Sequence, residues 1–171
     1  MCIRDSTIPP ILKAAIAVSV PCDLHNSLIQ LLMPKNLLYA RRFRKHLIEK
    51  LRAKQILFPD KISDEDISNI KTLKDFDDIY TSKAHGFKDG LDYYKQCSAS
   101  QFLDNIRVPT LLINAKNDSF LGSSCYPVKN AEESDHLYLE IPAYGGHVGF
   151  YARNNGSYTE KRAINFFEEF L

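Results

Sequence analysis

Two residues of this chain, Asp118 and His147, combine the side-chain type, setting and order needed for acid–base chemistry. A histidine held at one ring nitrogen by a carboxylate can move protons near neutral pH with the other, and the carboxylate stabilises the imidazolium that forms. His147 lies in Gly145-Gly146-His147-Val148-Gly149, shortly after Leu137, Leu139 and Ile141, whose alternation predicts a strand ending at Pro142. Asp118 follows Thr110-Leu111-Leu112-Ile113, an apolar run after Pro109 that predicts a short strand buried on both faces of a parallel sheet. At the C-terminal edge of such sheets, side chains from separate strands converge. Taken singly, the glycines explain a tight turn around His147, and Asp118 before Ser119 is an ordinary turn aspartate. The two together, each after a predicted strand, favour a functional pair.

Other candidates carry less. His85 beside Gly86 is a weaker second site. Ser63-Asp64-Glu65-Asp66 clusters carboxylates at a predicted helix start, where capping and the helix dipole account for them better than glycosidase or cation chemistry. Cys2, Cys22, Cys97 and Cys125 contain no C-x-x-C pair, and the five histidines contain no close pair. Reduced thiols are therefore expected, with no metal and no cofactor.

With 22 basic and 21 acidic residues the net charge is +1, so no overall field favours nucleic acid or an anionic membrane. Arg41, Arg42, Arg44, Lys45, Lys50, Arg52 and Lys54 crowd one predicted helix, where a solvated face opposite Phe43, Leu47 and Leu51 is the expectation and a membrane or nucleic-acid surface the alternative. No apolar run reaches the length of a membrane span, and no signal-peptide pattern opens the chain. A cytoplasmic protein without stable membrane insertion is expected, its oligomeric state open.

These residues need elements to position them. Ala14 to Val18 predicts a further buried strand, ended by Pro21, with Asp23 placed to cap a helix carrying Leu28, Leu31 and Leu32 until Pro34 interrupts it. Ser63 begins another helix with Ile67 and Ile70 inward. The aromatic and acidic stretch from Leu73 to Ser98 reads as a cap or lid in which Tyr93 and Tyr94 wall an apolar cleft. At the end, Ser157 and Glu160 form a capping-box pattern before a stripe of Ala163, Ile164, Phe167, Phe170 and Leu171. Glu160 and Arg162 suit surface or loop-anchoring roles. Residues 1–8 match no element and read as a non-native leader.

Phe76-Asp77-Asp78, His85-Gly86-Phe87, Asp92-Tyr93-Tyr94, Cys97-Ser98, Pro109-Thr110-Leu111, Ala115-Lys116-Asn117-Asp118 and Gly145-Gly146-His147-Val148-Gly149-Phe150 occur in one order along the chain. Together they resemble the YheT-like branch of the α/β-hydrolase superfamily. The resemblance implies an α/β fold class: the C-terminal part of an α/β-hydrolase fold, its last parallel strands with flanking helices, over residues 9–171, with 24–100 as a helical cap. It also implies that Asp118 and His147 are the acid and base of a Ser-Asp-His triad. Asn117-Asp118-Ser119 replaces the usual Asp-Asp-Pro, which keeps the acid and alters the turn around it.

No G-x-S-x-G occurs, and Gly122-Ser123-Ser124-Cys125 has the wrong spacing and follows the acid. The nucleophile and oxyanion donors are therefore expected upstream. The chain alone should be inactive, with sheet edges and apolar faces that need the remainder. Carboxylic-ester hydrolysis of a small-molecule ester or lipid-like acyl substrate is the implied activity. Acyl transfer on the same fold, or a non-catalytic binding module, is the alternative.

Overall fold

The computed structural model describes residues 10–152 and 156–170, so the expected leader and Leu171 lie outside the described residues. Its centre is a parallel sheet of β1 (Ala15–Val18), β2 (Thr110–Ile113) and β3 (Leu137–Glu140), in that order. Ala15 pairs with Thr110 and Thr110 with Leu137, so the three strands run level.

All four residues of β2 are buried, because the strand lies between two neighbours and between two apolar layers. Strand alternation assigns the layers. Leu112 packs with Cys22, Leu103, Ile106 and Leu137 on one side; Leu111 and Ile113 pack with Ala115, Phe150 and Phe166 on the other. The predicted strand around Ala14 to Val18 forms, but with one paired neighbour among the described residues it is only half-buried, and Val18 is exposed rather than buried.

Between β1 and β2 the chain is helical. Asp23 caps α1 (Leu24–Leu32) by accepting the Asn26 N–H at 2.9 Å, and Pro34 opens a 3-10 turn that separates it from α2 (Leu37–Leu57). Ala40 and Leu51 on α2 are buried, with Leu47 packed beside them, while the cationic side lies outward as expected. Helix α3 (Asp64–Asn69) carries a reciprocal capping box between Ser63 and Asp66, and Ile67 and Ile70 face inward. A π-helical turn at Asp77–Thr81 joins α4 (Leu73–Phe76) to α5 (Ser82–His85), and α6 (Gly90–Cys97) follows.

Helices α7 (Val128–Glu132) and α8 (Tyr158–Glu168) flank the later strands. The Glu160 N–H reaches Ser157 Oγ at 3.4 Å to start α8. The predicted stripe is out of phase by part of a turn: Ile164 is exposed, and Phe166, left out of the stripe, is 0% exposed against β2. The β3 face decides this, since Arg162 Nε reaches Glu140 Oε1 at 2.5 Å and Tyr158 Oη donates to Glu140 Oε2 at 2.7 Å, clocking the helix. Phe166→Ala is expected to lower stability by about 3–5 kcal/mol in chemical denaturation.

Candidate active site

The site forms where β2 and β3 end side by side. The parallel ladder continues past both strands, with Asn114 N–H donating to Glu140 O at 3.1 Å and Lys116 N–H to Pro142 O at 2.8 Å, so the two following loops leave the same edge together. After β2 the chain turns at once, the Asp118 N–H closing on Ala115 O at 3.1 Å. After β3, Gly146 adopts φ +53, a left-handed conformation that carries the chain into His147.

These two turns bring together the pair singled out in the sequence. His147 Nδ1 lies 2.9 Å from Asp118 Oδ2; the carboxylate side chain is 0% exposed and the imidazole 40%. The other carboxylate oxygen, Oδ1, accepts the Phe120 N–H at 2.9 Å. An ionised carboxylate only accepts, so the proton of a neutral imidazole sits on Nδ1 and Nε2 is left with a lone pair.

The backbone on each side of His147 is held as well. Asn117 Oδ1 accepts the Gly146 N–H at 2.8 Å, and Ser19 Oγ donates to the His147 carbonyl. Ser19 directly follows β1 and has φ +54, a conformation uncommon outside glycine and costly enough to be kept only where surrounding contacts enforce it. The turn around Asp118 is tied to the helical segment too. Ser119 Oγ donates to Asn36 Oδ1 at 2.9 Å while Asn36 Nδ2 donates to Ser119 O at 2.7 Å, a reciprocal pair that a proline at 119 would halve. None of Ser19, Asn36 or Asn117 stood out in the sequence as a site residue. The departure from Asp-Asp-Pro was the one signal, and it marked the turn rather than these partners.

His147 opens onto a cleft of about 490 Å³ between the sheet edge and the helical segment. Leu28 and Leu31 of α1, Leu47 of α2 and Tyr93 and Tyr94 of α6 wall it, as the sequence suggested for the tyrosines. Phe120 stacks obliquely on the imidazole, its centroid 4.8 Å away, and is met edge-on by Tyr39 and Phe43. At the far wall Tyr94 Oη donates to Asp77 at 2.6 Å, and burial first, then this hydrogen bond, pushes the phenol well above its usual range. It stays a neutral donor.

His85 is exposed at the end of α5 and does not line this cleft. Cys22, Cys97 and Cys125 are free thiols, and burial pushes Cys22 up to about 12, which leaves it unreactive at neutral pH. Among the described residues no group of three or more His, Cys, Asp or Glu could hold a metal ion. No helix among them is long and apolar enough to cross a membrane.

A parallel sheet that delivers a buried aspartate from one strand end and a histidine from the next to a single hydrogen bond is the arrangement of the α/β hydrolases, and this chain is a relative of that class. Within it the similarity runs to the YheT-like branch. The chain is 32% identical over 148 residues to YheT of Escherichia coli (strain K12), which covers 80% of this chain and 41% of that protein. An abhydrolase domain-containing protein of Dictyostelium discoideum is 31% identical over 137 residues, 80% of this chain and 35% of its own length. Medium-chain fatty acid ethyl ester synthase/esterase 2 of Saccharomyces cerevisiae is 33% identical over 102 residues, 60% of this chain and 22% of its own length. The chain thus spans less than half the length of these curated relatives. No family model matches it. No solved structure matches it.

Proposed function

We propose that this chain supplies the acid and the base of a serine-dependent acyl-ester hydrolase, with Asp118 and His147 in those roles and the helices of residues 24–100 as the cap over the acyl site. The observation that carries the reading is the 2.9 Å contact of a fully buried carboxylate with an imidazole facing an apolar cleft. His147 Nε2 takes the proton of a serine hydroxyl outside this sequence as the oxygen attacks the ester carbonyl, then returns it to the departing alkoxide. In the second half, Nε2 takes a proton from water as the hydroxide attacks the acyl carbonyl, returns it to the serine oxygen as that bond breaks, and the acid leaves with the serine and the neutral imidazole restored. Asp118 stays ionised throughout and stabilises each imidazolium. The apolar walls suit an acyl chain, and a relative named as a fatty acid ethyl ester synthase/esterase supports an acyl ester as substrate. That same name favours a second reading, in which an alcohol replaces water in the second half and the product is a new ester.

The test joins this chain to the polypeptide preceding it in its gene and follows release of a chromogenic short-chain ester with and without added ethanol. Hydrolysis blocked by a serine-directed phosphonate is the expected result, and ester formed in ethanol identifies the transfer reading. An intact protein with no serine at the cleft, inert to phosphonate, would leave a binding module. In the same assay, Asn117→Ala is expected to lower kcat by about 10–100-fold with little change in KM, since the loop presenting the imidazole loses its anchor. Asn117→Asp keeps the acceptor and should retain most of the rate. Equal losses in the two variants would contradict this positioning role.

A further inference from the structure

We infer that the outward face of α2 is a docking surface for an anionic lipid bilayer. Positions 38, 41, 42, 45, 49, 52 and 56 recur at helical period and form one stripe about 27 Å long, opposite the buried Ala40 and Leu51. Leu38 and Ile56 at its two ends are 79% and 81% exposed, and Leu57, beside Ile56, is 73% exposed. Arg41, Arg42, Lys45 and Arg52 lie between them, all exposed.

The carboxylates facing this stripe do not cancel it. Glu49 stands 3.9 Å from Lys45 and 3.2 Å from His46, and Asp64 stands 3.2 Å from Arg52. Pairs this exposed hold weakly and exchange readily with other anions. Arg41 and Arg42 appear in none of the ion pairs among the described residues.

A helix with cations along its middle and large aliphatic side chains in water at both ends matches the two layers of a bilayer surface. Guanidinium and ammonium groups meet lipid phosphates, and Leu38, Ile56 and Leu57 enter the boundary below them. Nucleic acid would engage the same cations and leave those aliphatic groups in water. The near-zero net charge of the whole chain localises any such attraction to this face. An adjoining side of α2 contributes Phe43, Leu47 and Lys50 to the cleft that contains His147, so the helix that would rest on lipid also forms a wall of that cleft. Lipid docking by this face is measured by binding and ester hydrolysis by turnover, so either can fail without the other.

The test is co-sedimentation of the intact protein, this chain joined to the polypeptide preceding it in its gene, with phosphatidylcholine vesicles that contain or lack phosphatidylglycerol. Partition onto the anionic vesicles is expected to be at least about tenfold stronger and to fall steeply at high salt. Arg41→Glu/Lys45→Glu and Ile56→Asp should each weaken it by about tenfold, because charge and insertion both contribute. Lys129→Glu, an exposed charge reversal on α7, should not. All these positions are exposed, so far-ultraviolet circular dichroism should be unchanged. Equal partition onto both vesicles overturns the inference, as does binding insensitive to Ile56→Asp. Capture by duplex DNA in preference to vesicles, or self-association that protects Ile56→Cys from a thiol reagent, would assign the face to another occupant and overturn it as well.

Discussion

His147→Ala is expected to lower kcat for ester hydrolysis by the intact protein by on the order of 10⁶-fold, the loss seen when the histidine of a serine-protease triad is removed. His147 is the histidine of the cleft that a buried carboxylate orients: His46 also lines it but pairs with exposed Glu49 at 3.2 Å, and His85, the second histidine considered in the sequence, lies outside the cleft. With alanine at 147 the serine keeps its proton, the attack step loses general-base assistance and the leaving alkoxide loses its acid. Binding of an acyl ester should survive, since the apolar walls come from α1, α2 and α6, so KM is expected to move far less than kcat. Asp118→Asn separates orientation from charge. An amide can present its NH₂ group to Nδ1 and so favour the tautomer with the proton on Nε2, and the expected loss is on the order of 10⁴-fold. Single-turnover release of the chromogenic alcohol measures both variants directly. Substantial hydrolysis after His147→Ala would remove the imidazole from the mechanism.

The second large effect concerns stability and begins one residue after β2. Asn114 is fully buried, and its amide makes three hydrogen bonds to backbone: Oδ1 accepts Val20 N–H at 2.7 Å, while Nδ2 donates to Val20 O at 3.1 Å and Cys125 O at 2.8 Å. It binds the exit of β1, the exit of β2 and the loop leading to α7 into one unit. Asn114→Ala should cost roughly 2–4 kcal/mol, because three main-chain groups lose their partner where little water reaches them. Asn114→Asp keeps one acceptor but replaces two donor contacts by a buried charge facing carbonyls, so it should fare no better. Equilibrium denaturation in urea would show both as a lower midpoint. Because Val20 adjoins Ser19, the Asn114 variants should also loosen the carbonyl contact at His147. A midpoint shift worth under about 1 kcal/mol would mean that water or neighbouring groups replace these bonds easily.

Much of the architecture was legible in the residues. Leu111, Leu112 and Ile113 directly after Pro109-Thr110 make a run short enough to favour a strand buried on both faces, and its burial between two layers agrees. Asp23, Pro34 and Ser63 marked helix boundaries correctly because each acts through its own backbone or an immediate neighbour. Signals of that kind are local. The phase of α8 was not, since alternate aromatic and aliphatic residues allow neighbouring stripes, and only Glu140 on β3 with Arg162 and Tyr158 selects Phe166 as the inward residue. β1 is only half-buried because a single strand pairs with it among the described residues, a matter of sheet neighbours that alanine and valine do not reveal.

The sequence by itself determined which two side chains deserved attention, an aspartate and a histidine each leaving a predicted strand in a fixed order, and the branch of proteins they resemble. Only the tertiary structure decided that they lie 2.9 Å apart, that the carboxylate is sealed from water, and that Ser19, Asn36 and Asn117 hold the surrounding loops. The reason is one of range. Strand alternation and capping act over a few residues and leave their mark in composition, whereas a hydrogen bond from Ser19 to the carbonyl of His147 joins positions 128 residues apart. No local pattern encodes that partner; parallel strand pairing and the turns at the sheet edge bring it within reach.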